Sequence, residues 1–287
     1  MNRTACHRAS RAIWACVALA LLLGLLFPVA AAPIVGGEPD RGAHPNVGML
    51  VGYDEIGPYY SCSGTLIGPS VFLTAAHCLP GGSPEAGNPA EIRISFDDSF
   101  TLGVDSFGPF PIVDRFVRGT PYRHPAFDPD APFDPAYASA DLGVFVLDRP
   151  AAQVFPGIRA APLPRHAYLD RLPGRDRADF RLVGYGLQGS IRPRRPDFFI
   201  DFTRRTAAAK FVKLLTPSAF LLQGSPSSSP QTGSGTVCSG DSGGAVLRGE
   251  LLTGVISGGD FCHSKTLAVR LDTVFARNFL GRFVALP

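Results

Sequence analysis

Apolar residues in this chain recur at alternate positions or in short runs, and turn-forming residues separate the runs. Residues 47–51, 61–67, 71–74, 92–96 and 110–116 each have the length and composition of a strand, and 140–147 is the most strand-like run of all. Residues 179–186 continue the pattern, 198–220 carry apolar residues at strand spacing, and 245–247 with 252–256 read as a hairpin. Residues 79–90 and 224–235 are loops by composition, 122–135 are rich in Pro and Asp, and the prolines of 150–164 suit an extended connector. Arg204, Arg205 and Lys210 form a basic patch expected on the solvated surface. Helical spacing is confined to the end, where Leu271, Val274, Phe275, Phe279 and Phe283 share a face and Asp272 or Thr273 can cap. The pattern predicts a mostly antiparallel β protein that closes with one amphipathic helix.

The first 31 residues stand apart from that pattern. Arg3, Arg8 and Arg11 precede an apolar run over residues 12–27, and Pro28-Val29-Ala30-Ala31-Ala32 supplies small residues suited to signal peptidase, so 1–31 read as a signal peptide. An uncleaved membrane anchor is the alternative, because the run is long for a signal core. Removing this segment takes three arginines and no acid, so the whole-chain excess of +3 disappears. A neutral mature chain gives no support to nucleic-acid binding, which calls for a basic excess or cluster. Cys6 and Cys16 leave with the segment. Cys62, Cys78, Cys238 and Cys262 remain, an even set that suggests disulfides in an exported chain. Of the three connectivities, Cys62 to Cys78 and Cys238 to Cys262 is preferred, since each pair brackets a candidate site element. A structural zinc site is the alternative, although the spacings lack a close Cys-x-x-Cys pair.

The candidate chemistry centres on Val237-Cys238-Ser239-Gly240-Asp241-Ser242-Gly243-Gly244. A serine between an aspartate and two glycines sits where the backbone can turn sharply, so its hydroxyl and nearby N–H groups can converge on one carbonyl. A serine hydroxyl is a poor nucleophile at its free pKa, so the reading requires a histidine base and a carboxylate that orients it. His77, in Ala75-Ala76-His77-Cys78, lies on a cysteine-pinned turn, and Asp141 stands at the head of the strand-like run. Asp128, Asp130 and Asp134 are rivals by number, but a Pro-rich loop gives little means of burying a carboxylate against an imidazole.

His77, Asp141 and Ser242 occur in that order. With Leu73-Thr74-Ala75-Ala76-His77-Cys78, Gly240-Asp241-Ser242-Gly243-Gly244 and Ile34-Val35-Gly36-Gly37, they make the mature chain resemble the chymotrypsin/trypsin-like serine peptidases. The resemblance implies an all-β fold of two packed six-stranded antiparallel β-barrels with the site in the cleft between them. The N-terminal half is expected over 34–162 and the C-terminal half, with its helix, over 163–287. It implies catalytic roles for His77, Asp141 and Ser242, with an oxyanion hole made by the N–H groups of Gly240 and Ser242. It also implies an activation device in which a freed amine at Ile34 pairs with Asp241. The pro-segment would be Ala32-Pro33, and no Arg or Lys precedes Ile34, so removal by a proline-specific aminopeptidase is expected rather than tryptic cleavage.

Thr236 stands six residues before Ser242, where trypsin-like members carry an aspartate, and Ser257, Gly258, Gly259 and Thr266 are expected around the same pocket. An uncharged floor leaves a cationic side chain uncompensated, so uncharged P1 residues are expected. Asp260 would supply negative charge if its loop folded inward. The chain departs from the family at Ala245, Ala268 and Val183-Gly184-Tyr185-Gly186, none of which removes a catalytic group. The expectation is a secreted serine endopeptidase, acting as a monomer on protein or peptide substrates. No cofactor or metal is assigned, nor a nucleic-acid partner, nor membrane attachment after signal cleavage. A catalytically inactive protease-like binding protein is the alternative, and an esterase is disfavoured because no helical pattern follows Gly244.

Overall fold

The computed structural model describes residues 34–287 except 36, 85, 106–107, 132–134, 174–178, 191–196, 225–234 and 261. The expected signal peptide 1–31, the dipeptide 32–33, Asp134 and most of the 224–235 loop lie outside the described residues. The chain opens with β1 (Glu38–Pro39), β2 (Val47–Tyr53), β3 (Pro58–Gly68), β4 (Val71–Thr74), β5 (Glu91–Ser95), β6 (Thr101–Asp105), β7 (Gly108–Ile112), β8 (Gly119–Arg123) and β9 (Gly143–Leu147). It continues through β10 (Asp179–Gly184), β11 (Gln188–Ser190), β12 (Asp197–Phe199), β13 (Arg205–Thr216) and β14 (Ala219–Gln223) to β15 (Ala245–Arg248), β16 (Leu251–Gly259) and β17 (Lys265–Arg270).

The first half forms a six-stranded antiparallel sheet in the order β5-β2-β3-β4-β9-β8. It curls until its two edges meet. Ile94 of β5 and Val117, just before β8, exchange N–H to carbonyl bonds of 3.0 and 2.9 Å. Curling encloses one face of each strand and packs parts of the other, which explains why nearly every residue of β2 is buried despite the alternation of side chains. In the second half, β13-β10-β15-β16-β17-β14 closes completely, because β14 also pairs with β13, and β1 adds outside β13. The two-barrel all-β architecture expected from the resemblance is therefore present.

Some local expectations differ. The strand expected over 110–116 is instead β7, paired with β6 as a separate hairpin that ends at Ile112. The Pro/Asp-rich stretch is bounded by β8 and by a short helix, Pro135–Ala140, that the apolar spacing did not announce. That helix is held by contacts rather than propensity: Ala138 is buried with Ala219 and Leu267, and Ser139 Oγ lies 2.6 Å from Thr216 Oγ1. The C-terminal helix covers Val274–Leu280, with Leu271 and Phe283 beyond its ends. Thr273 caps it, its hydroxyl accepting the Ala276 N–H at 3.2 Å, while Asp272 is engaged by Arg270 and the Leu169 N–H.

The basic patch is corrected more sharply. Lys210 is exposed, but Arg204 is 1% exposed and Arg205 is 7% exposed. Arg204 Nε donates to Asp40 at 2.8 Å, and its other nitrogens reach Asp98, the Val47 and Phe96 carbonyls and the Tyr185 hydroxyl. Every partner comes from a distant part of the sequence, so local charge patterning gave no sign of the pairing. This network joins the segment beginning at Ile34 to both barrels. One apolar cluster crosses the same boundary, running from Val47, Leu66 and Phe145 to Val183, Ala245 and Val269.

Candidate active site

His77 sits on the turn Ala76–Cys78 that follows β4, and a disulfide from Cys78 to Cys62 ties this turn to β3. The Cys78 and Cys62 sulfurs near His77 are thus bonded to each other and offer no thiolate to a metal. Asp141 lies where the Pro135–Ala140 helix gives way to β9, and it is fully buried. Its Oδ1 accepts the His77 backbone N–H at 2.9 Å, and its Oδ2 lies 2.7 Å from His77 Nδ1. The Ser257 hydroxyl donates to the same Oδ2 at 2.6 Å. A carboxylate accepting at both oxygens holds the imidazole with Nδ1–H toward Asp141, leaving Nε2 able to accept a proton. Asp128 and Asp130 remain exposed in their loop.

The nucleophile turn approaches from the other barrel. Ser63 N–H donates to the Ser242 carbonyl at 2.8 Å, and the Cys78 sulfur lies 3.7 Å from that oxygen. Gly243 makes this approach possible: with φ of 80°, a Cβ there would stand 2.1 Å from Thr74 Oγ1 and 2.2 Å from the Ser63 carbonyl. Ser242 is therefore set against the His77 turn, and its side of the turn stays partly open.

The amides of the turn are sorted by their partners. Leu187 N–H binds the Ser239 carbonyl at 2.7 Å, and Gly244 N–H binds the Asp241 carbonyl at 2.9 Å. In a trans peptide the N–H points opposite its carbonyl, so the N–H groups of Gly240 and Ser242 face away from these contacts. Asp241 N–H and Gly243 N–H instead bond to the carbonyls of Cys238 and Ile256, at 3.0 and 2.7 Å. Such a pair of outward amides can receive one negative oxygen.

Asp241 itself is fully buried and accepts from the N–H groups of Gly186 and Cys238 at 2.8 and 2.9 Å. Burial pushes its carboxyl up to about 7, against the lowering effect of those two bonds. Ile34 is buried in the second barrel with Val237 and Phe180, and the Val35 carbonyl accepts the Thr236 N–H at 2.9 Å.

Around the expected pocket, Gly259 pairs with Thr266 between β16 and β17, and a Cβ on Gly259 would lie 2.9 Å from the Val237 side chain. Thr236, Val237, Gly259 and Thr266 therefore converge. Thr236 and Thr266 are fully buried, and neither hydroxyl has a hydrogen-bond partner among the described residues. Gly258 is half-buried. A second disulfide joins Cys238 to Cys262 beside them. The Asp260 carboxylate is engaged by the Ser264 and Lys265 N–H groups and the Ser264 hydroxyl, all in its own loop.

A family model for trypsin matches residues 34–197. The chain belongs to the trypsin family. It is a serine endopeptidase of the chymotrypsin/trypsin type, and peptides are its substrates by family. Of the site residues, Ile34, His77 and Asp141 fall inside the matched segment, while Gly240, Asp241 and Ser242 lie beyond it. Solved structures extend the likeness of fold across the second barrel. HL collagenase aligns with a TM-score of 0.58 and 18% identity, covering 84% of this chain and 94% of its own. GrC aligns with a TM-score of 0.54 and 16% identity, covering 84% and 93%.

Sequence reasoning placed Ser257 on the pocket wall and missed its bond to Asp141. It also missed Ser63, the neighbour of Cys62, and Tyr185, which stands in a stretch noted only as a departure from the family. Periodicity carries no signal for such contacts between barrels.

Proposed function

We propose that this trypsin-family chain is a secreted endopeptidase that uses Ser242, His77 and Asp141 and forms an acyl-enzyme. The observation that carries the reading is the His77 imidazole held by a buried Asp141 beside the Ser242 turn. His77 Nε2 takes the hydroxyl proton as Ser242 Oγ attacks the peptide carbonyl carbon. The resulting oxyanion is met by the N–H groups of Gly240 and Ser242, a donor of this kind contributing about 2.7 to 4 kcal/mol. Collapse breaks the C–N bond, and His77 returns the proton to the departing amine. Water then attacks the acyl-enzyme with His77 again as base, releasing the acid and restoring the Ser242 hydroxyl.

Maturation belongs to the proposal. Residues 1–31 serve as the signal peptide, 32–33 as the pro-segment, 34–162 as the first half of the peptidase and 163–287 as the second. Ile34 is buried in the second barrel, in the same structure as the buried Asp241, which has no cation beside it among the described residues. Cleavage by a proline-specific aminopeptidase frees the Ile34 amine and supplies a cation for buried Asp241. The two disulfides fit an exported protein, and no helix among the described residues is long and apolar enough to cross a membrane.

At the pocket, Thr236 and Thr266 offer hydroxyls where a cationic P1 side chain needs a carboxylate, and Asp260 is committed to its own loop. Ser257, Gly258 and Gly259 form the wall and the edge for substrate. Mature protein verified to begin at Ile34 is expected to react with a fluorophosphonate and to cleave a P1-varied peptide library after uncharged residues. Both activities should vanish in Ser242→Ala. Faster cleavage after Arg or Lys overturns the pocket assignment, and absence of labelling favours a binding protein without catalysis.

A further inference from the structure

Ser63 lies in the first barrel, outside the catalytic set, yet all of its polar groups are spent on the site. It is fully buried in β3. Its N–H holds the Ser242 carbonyl at 2.8 Å, and its carbonyl accepts from Thr74 Oγ1 at 2.7 Å. Its hydroxyl accepts the Tyr185 N–H at 2.9 Å and donates to the Gly240 carbonyl at 2.8 Å. A hydroxyl has one proton to give and lone pairs to accept with, so these two bonds fix its orientation.

The Gly240 carbonyl is the contact that matters. Gly240 has φ of 94°, a torsion that glycine adopts without cost and also leaves without cost. Gly240 therefore puts a freely turning backbone at the residue whose N–H the catalytic reading aims at substrate. Asp241 N–H to the Cys238 carbonyl holds one side of the Gly240–Asp241 peptide, and the Ser63 hydroxyl holds the other. With that plane fixed and the Ser239 carbonyl held by Leu187, the Gly240 N–H has one direction. We propose that Ser63 is a positioning residue of the oxyanion site, its hydroxyl holding the Gly240 peptide so that the Gly240 N–H stays aimed at the developing oxyanion. The inference rests on the catalytic reading above.

Fixing a donor in advance matters most in the transition state, where the negative charge is largest. Ser63→Ala is expected to lower kcat by roughly 10-fold, less than the 10²–10³ seen when a donor is removed outright, with KM nearly unchanged. The rate is taken per active site, counted by fluorophosphonate titration. Affinity for a peptide trifluoromethyl ketone, whose hemiketal carries the oxyanion, should fall in parallel with kcat/KM. A purely structural Ser63 would instead lower the melting temperature and the titratable fraction while leaving kcat per titrated site and ketone affinity intact, and that result overturns the proposal. Ser63→Thr and Ser63→Val form a second pair of equal shape, differing only in the hydroxyl. Thr is expected to exceed Val in kcat per site, and equality overturns the proposal even if the alanine variant does not fold. Failure of the wild-type protein to show Ser242-dependent labelling overturns the catalytic reading itself, and this one with it.

Discussion

Arg204 shows how far a residue's environment can depart from its local sequence. It sits beside Arg205 in a stretch that reads as solvated, yet its guanidinium is closed off by Asp40, Asp98, Tyr185 and two carbonyls. Asp40, itself buried, shares its carboxylate with His44, and the hydrogen bonds from His44 and Arg204 hold it below the usual carboxylate range although burial alone would raise it. Removing one partner from a buried pair leaves the other charge uncompensated. Arg204→Met is therefore expected to cost about 3 to 5 kcal/mol, read as a lower urea midpoint at unchanged slope. A loss below 1 kcal/mol would show that water relieves Asp40. The pairing of His77 with Asp141 and the placing of the Ser242 turn beside them fall on positions that short sequence stretches had singled out. The roles of Arg204, Ser63 and the Ser257–Asp141 bond were not legible, because each is defined by a partner more than 50 positions away.

At the scale of elements, strands were legible where a run is wholly or almost wholly buried, as in β4, β2 and β9, and less so where proline-bearing hairpins such as β6–β7 stand off the barrel. The Pro135–Ala140 helix was illegible because its six residues are too few for a periodic face. The element with the clearest titration behaviour is the turn carrying Asp241. Burial pushes its carboxyl up to about 7 from the ordinary 3.8, against the lowering effect of the Cys238 and Gly186 N–H groups. Between these values the native state keeps a proton that the unfolded state has released. Stability is thus fully present below about pH 4 and is lost as pH rises through 7. The precursor form, carried as Ser242→Ala, is expected to show a urea midpoint that falls across this window. Asp241→Asn in the precursor should abolish the fall, and so should an N-terminus at Ile34, whose amine would stabilise the ionised carboxylate. A precursor midpoint that stays level from pH 4.5 to 8 would contradict the burial of an unpaired acid.

The whole molecule sets the candidate site on a seam between a curled sheet and a closed one. The Asp141–His77 pair belongs to the first barrel, Ser242 and Ser257 to the second, and Ser63, Thr74 and Gly243 meet between them. The apolar cluster from Val47 to Val269 and the Arg204 network cross the same seam. Two units that share this much buried surface have little to gain by separating first: parting them would expose the cluster and strand the buried ions before either sheet had melted. Unfolding is therefore expected to be a single cooperative transition, with calorimetric and van't Hoff enthalpies in agreement. If residues 1–31 are removed as proposed, the one tryptophan, Trp14, goes with them, and near-UV dichroism of the tyrosines is then the suitable probe of tertiary structure. Loss of fluorophosphonate labelling at Ser242 should coincide with the loss of that dichroism. If labelling disappeared at a lower denaturant concentration than the tyrosine signal, the barrels would part before they melt, and the seam would be a weaker joint than its contacts indicate.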